Sequence, residues 1–588
     1  MPRLKANDKR YTICIKKLEE IVMKNKKRTL VALTGAAIGT GIAAKKISEQ
    51  KAAEKERAVD EAIKARYYGD KQVYFVGGGI ASLAGAVYLI RDANFDGKNI
   101  HIIEGMHILG GSNDGAGSVE HGFVCRGGRM LNEETYENFW DLFSSIPSLD
   151  MPNFSVTEEI LNFDHLHPTH AQARLVDKDR NILDAHSMGF NNNDRMLMTK
   201  LLATPEEKLD NLTIRDWFDE HFFETNFWFM WQTTFAFQKW SSLFEFRRYM
   251  NRMMLEFSRI DTLEGVTRTP LNQYESLILP LKTFLDKHHV DFTINQTVED
   301  IDFKDAPGIT ATALHLSDGS TIKLGPDDDV IMTNACMTDS ATLGDMNTPA
   351  PKPEEKPISG ELWYKVAQKK PNLGNPEPFF GHEEETNWQS FTVTCHGDKL
   401  LKRIERFTGN IPGSGALMTF KDSNWLMSTV VAAQPHFKAQ DANTTIFWGY
   451  GLYPDRVGDF VKKPMKECTG EEILYELMCH LNWQDDFEEI KADIINVIPC
   501  YMPYIDAQFE PRAMSDRPAV VPEGSTNFAM ISQFVEIPKD MVFTEEYSVR
   551  AARIAVYTLL DIDKKICPVT PHNRDPKVLA KATQTMFR

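Results

Sequence analysis

Apolar residues fall in short blocks punctuated by glycine and polar residues, with the lengths of buried strands and single helices. Val73-Tyr74-Phe75-Val76 is such a block, fit for a buried parallel strand. Gly77-Gly78-Gly79-Ile80-Ala81-Ser82 follows, Leu83 to Arg91 has helical character, and Ile100-His101-Ile102-Ile103 predicts a second strand ending at Glu104. Strand, glycine turn, helix, strand and acid in that order predict a dinucleotide-binding unit. Gly77 permits the tight turn and Gly79 lets a pyrophosphate approach the backbone. The helix N-terminus faces the anion, and Glu104 accepts from a ribose hydroxyl. Ser82 occupies the third fingerprint position, where a small residue is tolerated. Farther on, Val290 to Asp302 predicts a return strand, Asp329 to Asn334 another buried strand, and Asn527 to Phe534 a terminal strand. Thr544 is the predicted N-cap of a helix running to Leu560.

Two further glycine loops, Gly110-Gly111-Ser112 and Arg126-Gly127-Gly128-Arg129, favour FAD over NAD, as does the distance to the return strand. Large flavoproteins place such loops against the cofactor, an argument by fold analogy. Between Trp217 and Tyr249, 33 residues hold fourteen aromatics, where the chain average of 10% predicts about three. Met250, Met253 and Met254 follow. A buried helical core accounts for most of these side chains; the sharper alternative is a tunnel for a long apolar substrate.

At 588 residues the chain exceeds one ordinary core. With 42% hydrophobic and 25% charged residues it is neither a polytopic membrane protein nor a disordered chain. The net charge of −17 argues against a dedicated nucleic-acid binder. That figure averages +8 over residues 1–50, −28 over 51–560 and +3 over 561–588. Near the start, Lys24-Asn25-Lys26-Lys27-Arg28 precedes an uncharged run from Thr29 to Ala44, too short to span a bilayer. An export or anchor signal there, opening at Met23, is the lesser alternative to a plain leader. Residues 45–66 predict a charged, Ala-rich helix. From Pro576, Val578, Leu579, Ala582, Met586 and Phe587 recur at helical spacing among Lys577, Lys581 and Arg588, a basic amphipathic helix suited to an anionic membrane surface. The eight cysteines show no CxxC pair, so reduced thiols in the cytoplasm and no metal site are expected.

Several longer stretches resemble the oleate hydratases, the family once called myosin-cross-reactive antigens. They are Tyr74 to Gly117, Arg126-Gly-Gly-Arg-Met130, Phe235 to Arg252, Asn272-Gln-Tyr-Glu-Ser276, Phe447 to Asp455, and Gln533 to Pro538. The resemblance covers about residues 67–560. It implies hydration of a cis double bond in a free unsaturated fatty acid, with FAD bound but no net redox change. Carried over by position, it implies Tyr249 as proton donor to the alkene. Where the family places a water-activating Glu this chain has Met130, and a thioether cannot act as a general base. Glu133, Glu134 or a backbone carbonyl are candidates to orient the water, and Arg247 and Arg248 to stabilise the phenolate if they face it. The implied FAD contacts are Gly77, Gly79, Ala81, Ser82, Glu104, Gly111, Ser112, Arg129, Met130, Val298, Asn334, Thr544 and Ser548. Gln273, Thr429 and His436 are implied for the substrate carboxylate; the polar residues expected ahead of Gln434-Pro435-His436 are replaced by Val430-Val431-Ala432-Ala433.

The expected architecture is α/β: a Rossmann-like FAD-binding domain interrupted by helical and α+β substrate-domain insertions. Its expected parts are a basic leader and helix over 1–66, and an FAD domain from 67–150, 288–345 and 500–560. An aromatic-rich helical substrate domain over 151–287, a lid over 346–499 and an amphipathic tail over 561–588 complete it. Expected partners are an unsaturated fatty acid and, peripherally, a membrane surface; a homodimer is left open. The competing classes are a redox flavoenzyme or double-bond isomerase, and a non-catalytic lipid-binding protein.

Overall fold

The computed structural model describes residues 50–588 except 52, 114, 127–129, 354–357, 415 and 416. The expectations for the basic leader and for Arg129 therefore fall outside the described residues. Residues up to 66 form a unit of their own, helical over 53–64, and Tyr67–Arg588 form a second.

The second unit is built on an all-parallel five-stranded sheet. Its strands are β1 (Val73–Val76), β2 (Ile100–Glu104), β3 (Asp291–Ile294), β4 (Asp329–Thr333) and β5 (Phe528–Ile531), ordered β5-β4-β1-β2-β3. The register sets Val73 opposite both Asp329 and Ile100. Apolar runs without polar alternation suit strands covered on both faces. Helix α1 (Ile80–Ala93) follows the glycine turn and packs against α3 (Glu545–Leu559). The fold class is thus α/β, and strands of three distant chain segments close one sheet.

The predicted return strand from Val290 to Asp302 is two strands. β3 ends at Ile294, Asn295 turns the chain with φ of 56°, and Val298–Phe303 enters a separate antiparallel meander with Ala311–Leu316 and Thr321–Lys323. The pattern hid the break because Asn295 and Gln296 are its only punctuation.

The second sheet of this unit is seven-stranded and mixed. From one edge it runs Thr342–Leu343, Ile494–Met502, Trp388–His396, Thr444–Gly451, Met427–Val430, Leu417–Phe420 and Leu175–Val176. Phe391, Val393, Trp425 and Phe447 pack under Leu474, Leu477 and Met478 of the helix Gly470–His480. The edge strand Leu175–Val176 pairs parallel with Thr419 and Phe420, so segments 151–287 and 346–499 share this sheet.

The aromatic segment folds as Asn226–Phe235 and α2 (Leu243–Arg252); Phe218 stacks on Phe222, and Phe222, Phe227 and Trp231 continue the chain of ring contacts at tilted angles. Most of the segment is therefore core rather than tunnel. The inner side of α2 carries Glu245, Arg248, Tyr249 and Arg252, all buried. Arg248 pairs with Glu536 at 2.7 Å, Arg512 with Glu245 at 3.0 Å, Arg252 with Asp540 at 3.2 Å and Arg550 with Asp540 at 2.7 Å. This network fixes α2 against α3. Removing one member strands the others' charges, at a cost of about 3–5 kcal/mol.

The tail helix Pro576–Thr585 does form, but Val578 and Ala582 are buried, and the helix packs against Met254–Phe257. Arg195 lies 4.7 Å over the Phe587 ring. Only Leu579 and Phe587 of the predicted apolar side stay exposed, at 41% and 67%. No helix of the described residues is long and apolar enough to cross a membrane.

Candidate functional site

A cleft of about 410 Å³ opens at the carboxyl ends of the parallel strands, where Val76, Glu104, Thr333 and Ser532 reach its wall. This is where open α/β sheets bind ligands. Gly77 has φ of +96°, and a Cβ there would come within 3.0 Å of Thr333. Gly111 has φ of +57°, and its Cβ would lie 3.3 Å from Gly79 Cα. The two glycine loops touch, tied by Gly110 N–H donating to Gly78 O at 2.9 Å, and side chains on either would fill the cleft. Gly79 caps α1 with no side-chain hydrogen bond, and the first turn holds no acid, so its N–H groups point to an anion site. The Glu104 carboxylate accepts from Gly78 N–H at 2.6 Å and Met106 N–H at 2.8 Å. Burial nevertheless holds its pKa above the ordinary carboxylate value. At the far end Thr544 caps α3, accepting from Tyr547 N–H at 3.2 Å. These features fit a dinucleotide with its diphosphate over the glycines.

Nine of the expected contacts line this cleft: Gly77, Gly79, Ala81, Glu104, Gly111, Ser112, Val298, Thr544 and Ser548. Three do not. Ser82 is buried beneath the turn, its hydroxyl 3.4 Å from Thr333 Oγ1. Asn334 is spent inside, donating to Phe534 O at 3.1 Å and accepting from Ser532 at 2.5 Å. Met130 belongs to the neighbouring cavity. Two contributors were missed. Arg126 donates to Gly111 O at 2.6 Å and Thr338 O at 3.2 Å, pinning the second glycine loop. Gln533 donates to Thr544 O and Ser548 Oγ, each at 2.8 Å, holding the start of α3.

A second cavity of about 80 Å³ shares Phe543, Thr544 and Glu545 with the cleft. Tyr249, Met130, Phe235, Met253, Glu256 and Arg268 are among its other walls. Of the fourteen aromatics in the dense segment only Phe235 and Tyr249 reach it. Tyr249 is 1% exposed, and its hydroxyl donates to Val542 O at 2.6 Å. Burial, then Glu245 and Asp540, raise its pKa well above 10. Arg247 and Arg248 do not face the phenol. Successive helical residues diverge by about 100°, and these two turn to Glu206 and Glu536.

The expected water-orienting acids also lie elsewhere: Glu133 is exposed, and Glu134 pairs with Arg259 at 3.0 Å. The carboxyls lining the cavity are Glu256 and Glu545. Glu256 is 3% exposed; its Oε1 accepts from Asn132 at 2.8 Å and pairs with Arg259, while Oε2 has no hydrogen-bond partner. Burial raises its pKa.

A third, small cavity of about 20 Å³ brings Gln273 and His436 together, and shares Arg268 and Trp448 with the second. Gln273 Nε2 is 3.4 Å from Thr269 Oγ1. Burial, reinforced by Arg268, pushes the His436 imidazole down to about 4, so it is neutral at pH 7. Thr429 does not join them. It is buried in the strand Met427–Val430, and Val430 is the residue of that strand that reaches a cavity wall.

Across residues 70–557 the sequence matches the model of the MCRA family. The chain belongs to that family. Two relatives extend the match over most of the protein. A linoleate hydratase of Lactiplantibacillus plantarum is 43% identical over 561 residues, covering 87% of this chain and 98% of that one. An oleate hydratase of Streptococcus pyogenes serotype M49 is 38% identical over 510 residues, covering 84% and 86%. Both are hydro-lyases by name. Among solved structures, a putrescine oxidase variant matches 84% of this chain and 99% of its own at 12% identity, with a TM-score of 0.49.

Among the described residues of this MCRA chain, one other polar cluster, Asp459, Glu476 and His480, has a metal-like composition. The Glu476 carboxylate already accepts N–H groups of Asp459, Phe460 and Val461 at 2.6, 3.0 and 2.8 Å, which stabilises the anion without an ion.

Proposed function

We propose that this MCRA-family chain is an FAD-binding fatty-acid hydratase. It adds water across a cis double bond of a free unsaturated fatty acid of the oleate or linoleate type, giving a hydroxy fatty acid. The observation that carries this reading is the dry phenol of Tyr249 in a cavity sharing three residues with a dinucleotide cleft and two with a polar pocket.

The Tyr249 proton goes to one alkene carbon while a water oxygen bonds to the other. The proton lost by that water passes to a carboxyl lining the cavity, Glu256 or Glu545, and returns to the phenolate. Burial keeps the phenol protonated, as a donor must be, and makes the phenolate costly. The N-terminus of α3 borders the same space and favours negative charge there. Met130, whose backbone O accepts from Tyr136 at 3.0 Å, supplies apolar wall. A bound FAD supplies no net oxidation or reduction in this addition. Gly77, Gly79, Glu104, Arg126 and Thr544 are the residues suited to hold it. The exposed Leu579 and Phe587, with Lys577 and Lys581 nearby, support a peripheral membrane contact from which the acid is collected.

The test is oleate or linoleate with FAD-loaded protein in oxygen-18 water and, separately, heavy water. A product about 18 Da heavier in ordinary water, carrying solvent oxygen and hydrogen, is expected. NADH or oxygen consumed in proportion to substrate, without that product, would establish a redox flavoenzyme instead.

A further inference from the structure

We propose that Arg268 is the anchor for the substrate's head group: a guanidinium on the wall between the Tyr249 cavity and the Gln273–His436 pocket that pairs with a long-chain carboxylate. The identity of the acid rests on the hydratase reading; the existence of an anion site does not.

Among the described residues the interior arginines divide into three kinds. Arg248, Arg252, Arg512, Arg517 and Arg550 each pair with at least one carboxylate. Arg174 has no such pair, but its guanidinium donates to Ile260 O, Leu417 O, Met230 O and Thr234 Oγ1. Arg268 has neither. No carboxylate lies within ion-pair distance of it, none of its side-chain nitrogens makes a hydrogen bond to the described residues, and Nη2 is buried without a partner. A guanidinium nitrogen shut away from solvent without a partner is a costly feature, and it persists where a ligand completes it.

The surroundings specify the ligand. Asp164 is the anion whose field acts most on Arg268, with Tyr450 next, and neither contacts the guanidinium. Burial lowers the arginine only to about 10, so it stays cationic at neutral pH. His436 is neutral there and adds no second charge. Gln273, whose amide makes only the 3.4 Å bond to Thr269, adds a donor free to turn. Trp448, Ala432, Ala433 and Phe163 close the pocket with apolar surface. One cation, one amide and a dry wall suit a single carboxylate whose chain leaves toward Tyr249. The apolar run from Val430 to Ala433 has nothing to offer an acid, and Arg268 supplies the charge from the strand Val266–Thr267 side.

The experiment titrates full-length, FAD-loaded protein with dodecanoate and with dodecan-1-ol, and measures oleate hydration alongside. Arg268→Met should weaken dodecanoate roughly 10- to 100-fold, the worth of a charged hydrogen-bonded contact, and leave the alcohol within about threefold. Arg268→Lys should recover part of the loss. For oleate the same factor should appear in KM with kcat nearly unchanged, because the contact is remote from the reacting carbons. Unchanged dodecanoate binding in an FAD-replete Arg268→Met protein would overturn the anchor, as would equal losses of acid and alcohol. If that variant does not fold, the unmodified protein still decides: a preference for dodecanoate over its methyl ester of less than about threefold overturns the proposal. Acid selectivity that depends on Arg268 in a protein that does not hydrate oleate would support the anchor and refute the hydratase reading alone.

Discussion

Replacing Tyr249 by Phe separates the two things its hydroxyl does. In the structure the hydroxyl donates to Val542 O at 2.6 Å from a site 1% exposed. Deleting it leaves that carbonyl unsatisfied, which costs about 1–3 kcal/mol. The ring keeps its neighbours, Phe237 at 5.0 Å and Phe235 at 5.3 Å between centroids, so little packing is lost. The variant should fold and hold FAD, with a lower urea midpoint. Loss of a general acid is a different magnitude, about 10²–10⁴ in rate, or roughly 3–5 kcal/mol of barrier. The assay is the initial rate of oxygen-18 incorporation into oleate, with FAD occupancy and urea unfolding measured on the same sample. A fall of at least about a hundredfold in kcat is expected. An FAD-replete variant hydrating within about threefold of the parent would refute the phenol as proton donor. The geometry adds a condition: the proton faces Val542, so the Val542 bond must break before the alkene receives it.

Met130→Glu places a carboxyl in the Tyr249 cavity, and hydration by the FAD-loaded variant should be retained or raised; a collapse in kcat would show that the thioether's bulk matters more than a base. Gly111→Ala puts a Cβ 3.3 Å from Gly79 Cα at φ of +57°, so FAD occupancy after purification should fall sharply with the far-ultraviolet spectrum unchanged. His436 has a folded pKa of about 4 against 6.5, so it contributes stability that is fully present above pH 6.5 and lost as the pH falls toward 4. That loss is roughly 3 kcal/mol, and His436→Gln should flatten that part of the stability profile in denaturant titrations. Leu579→Glu with Phe587→Glu should weaken binding to anionic vesicles while changing thermal unfolding by little more than the loss of the Arg195–Phe587 contact, because both side chains are exposed; unchanged binding would remove the tail from the membrane argument.

Most of the parallel sheet was legible because the strands at Val73, Ile100, Asp329 and Phe528 are largely apolar runs and the glycine turn is local chemistry, whereas the edge strand Asp291–Ile294 is polar and half-exposed and its end was not. The glycine-lined cleft followed from the same turn. What was not legible depended on parity and distance. Thr429 and Val430 are adjacent and both fit a polar-to-apolar boundary, but only the alternation of a real strand decides which one reaches a cavity. Arg247 and Arg248 flank Tyr249 in sequence and leave it in space. Asn334 fits a cofactor contact by position, yet the turn after β5 consumes its amide. Arg268 carried no local signal at all; its meaning lies in partners it lacks, which only the packed interior reveals.

Phe543, Thr544 and Glu545 border the glycine-lined cleft on one side and the Tyr249 cavity on the other. A wall held in common makes the two ligands answerable to each other. If flavin binding sets those three residues so that the acid binds some factor more tightly, the acid must tighten flavin by the same factor, because coupling free energy is reciprocal. The protein would then keep its cofactor best while lipid is present and release it most readily when starved of it, so flavin retention becomes a gauge of fatty-acid supply.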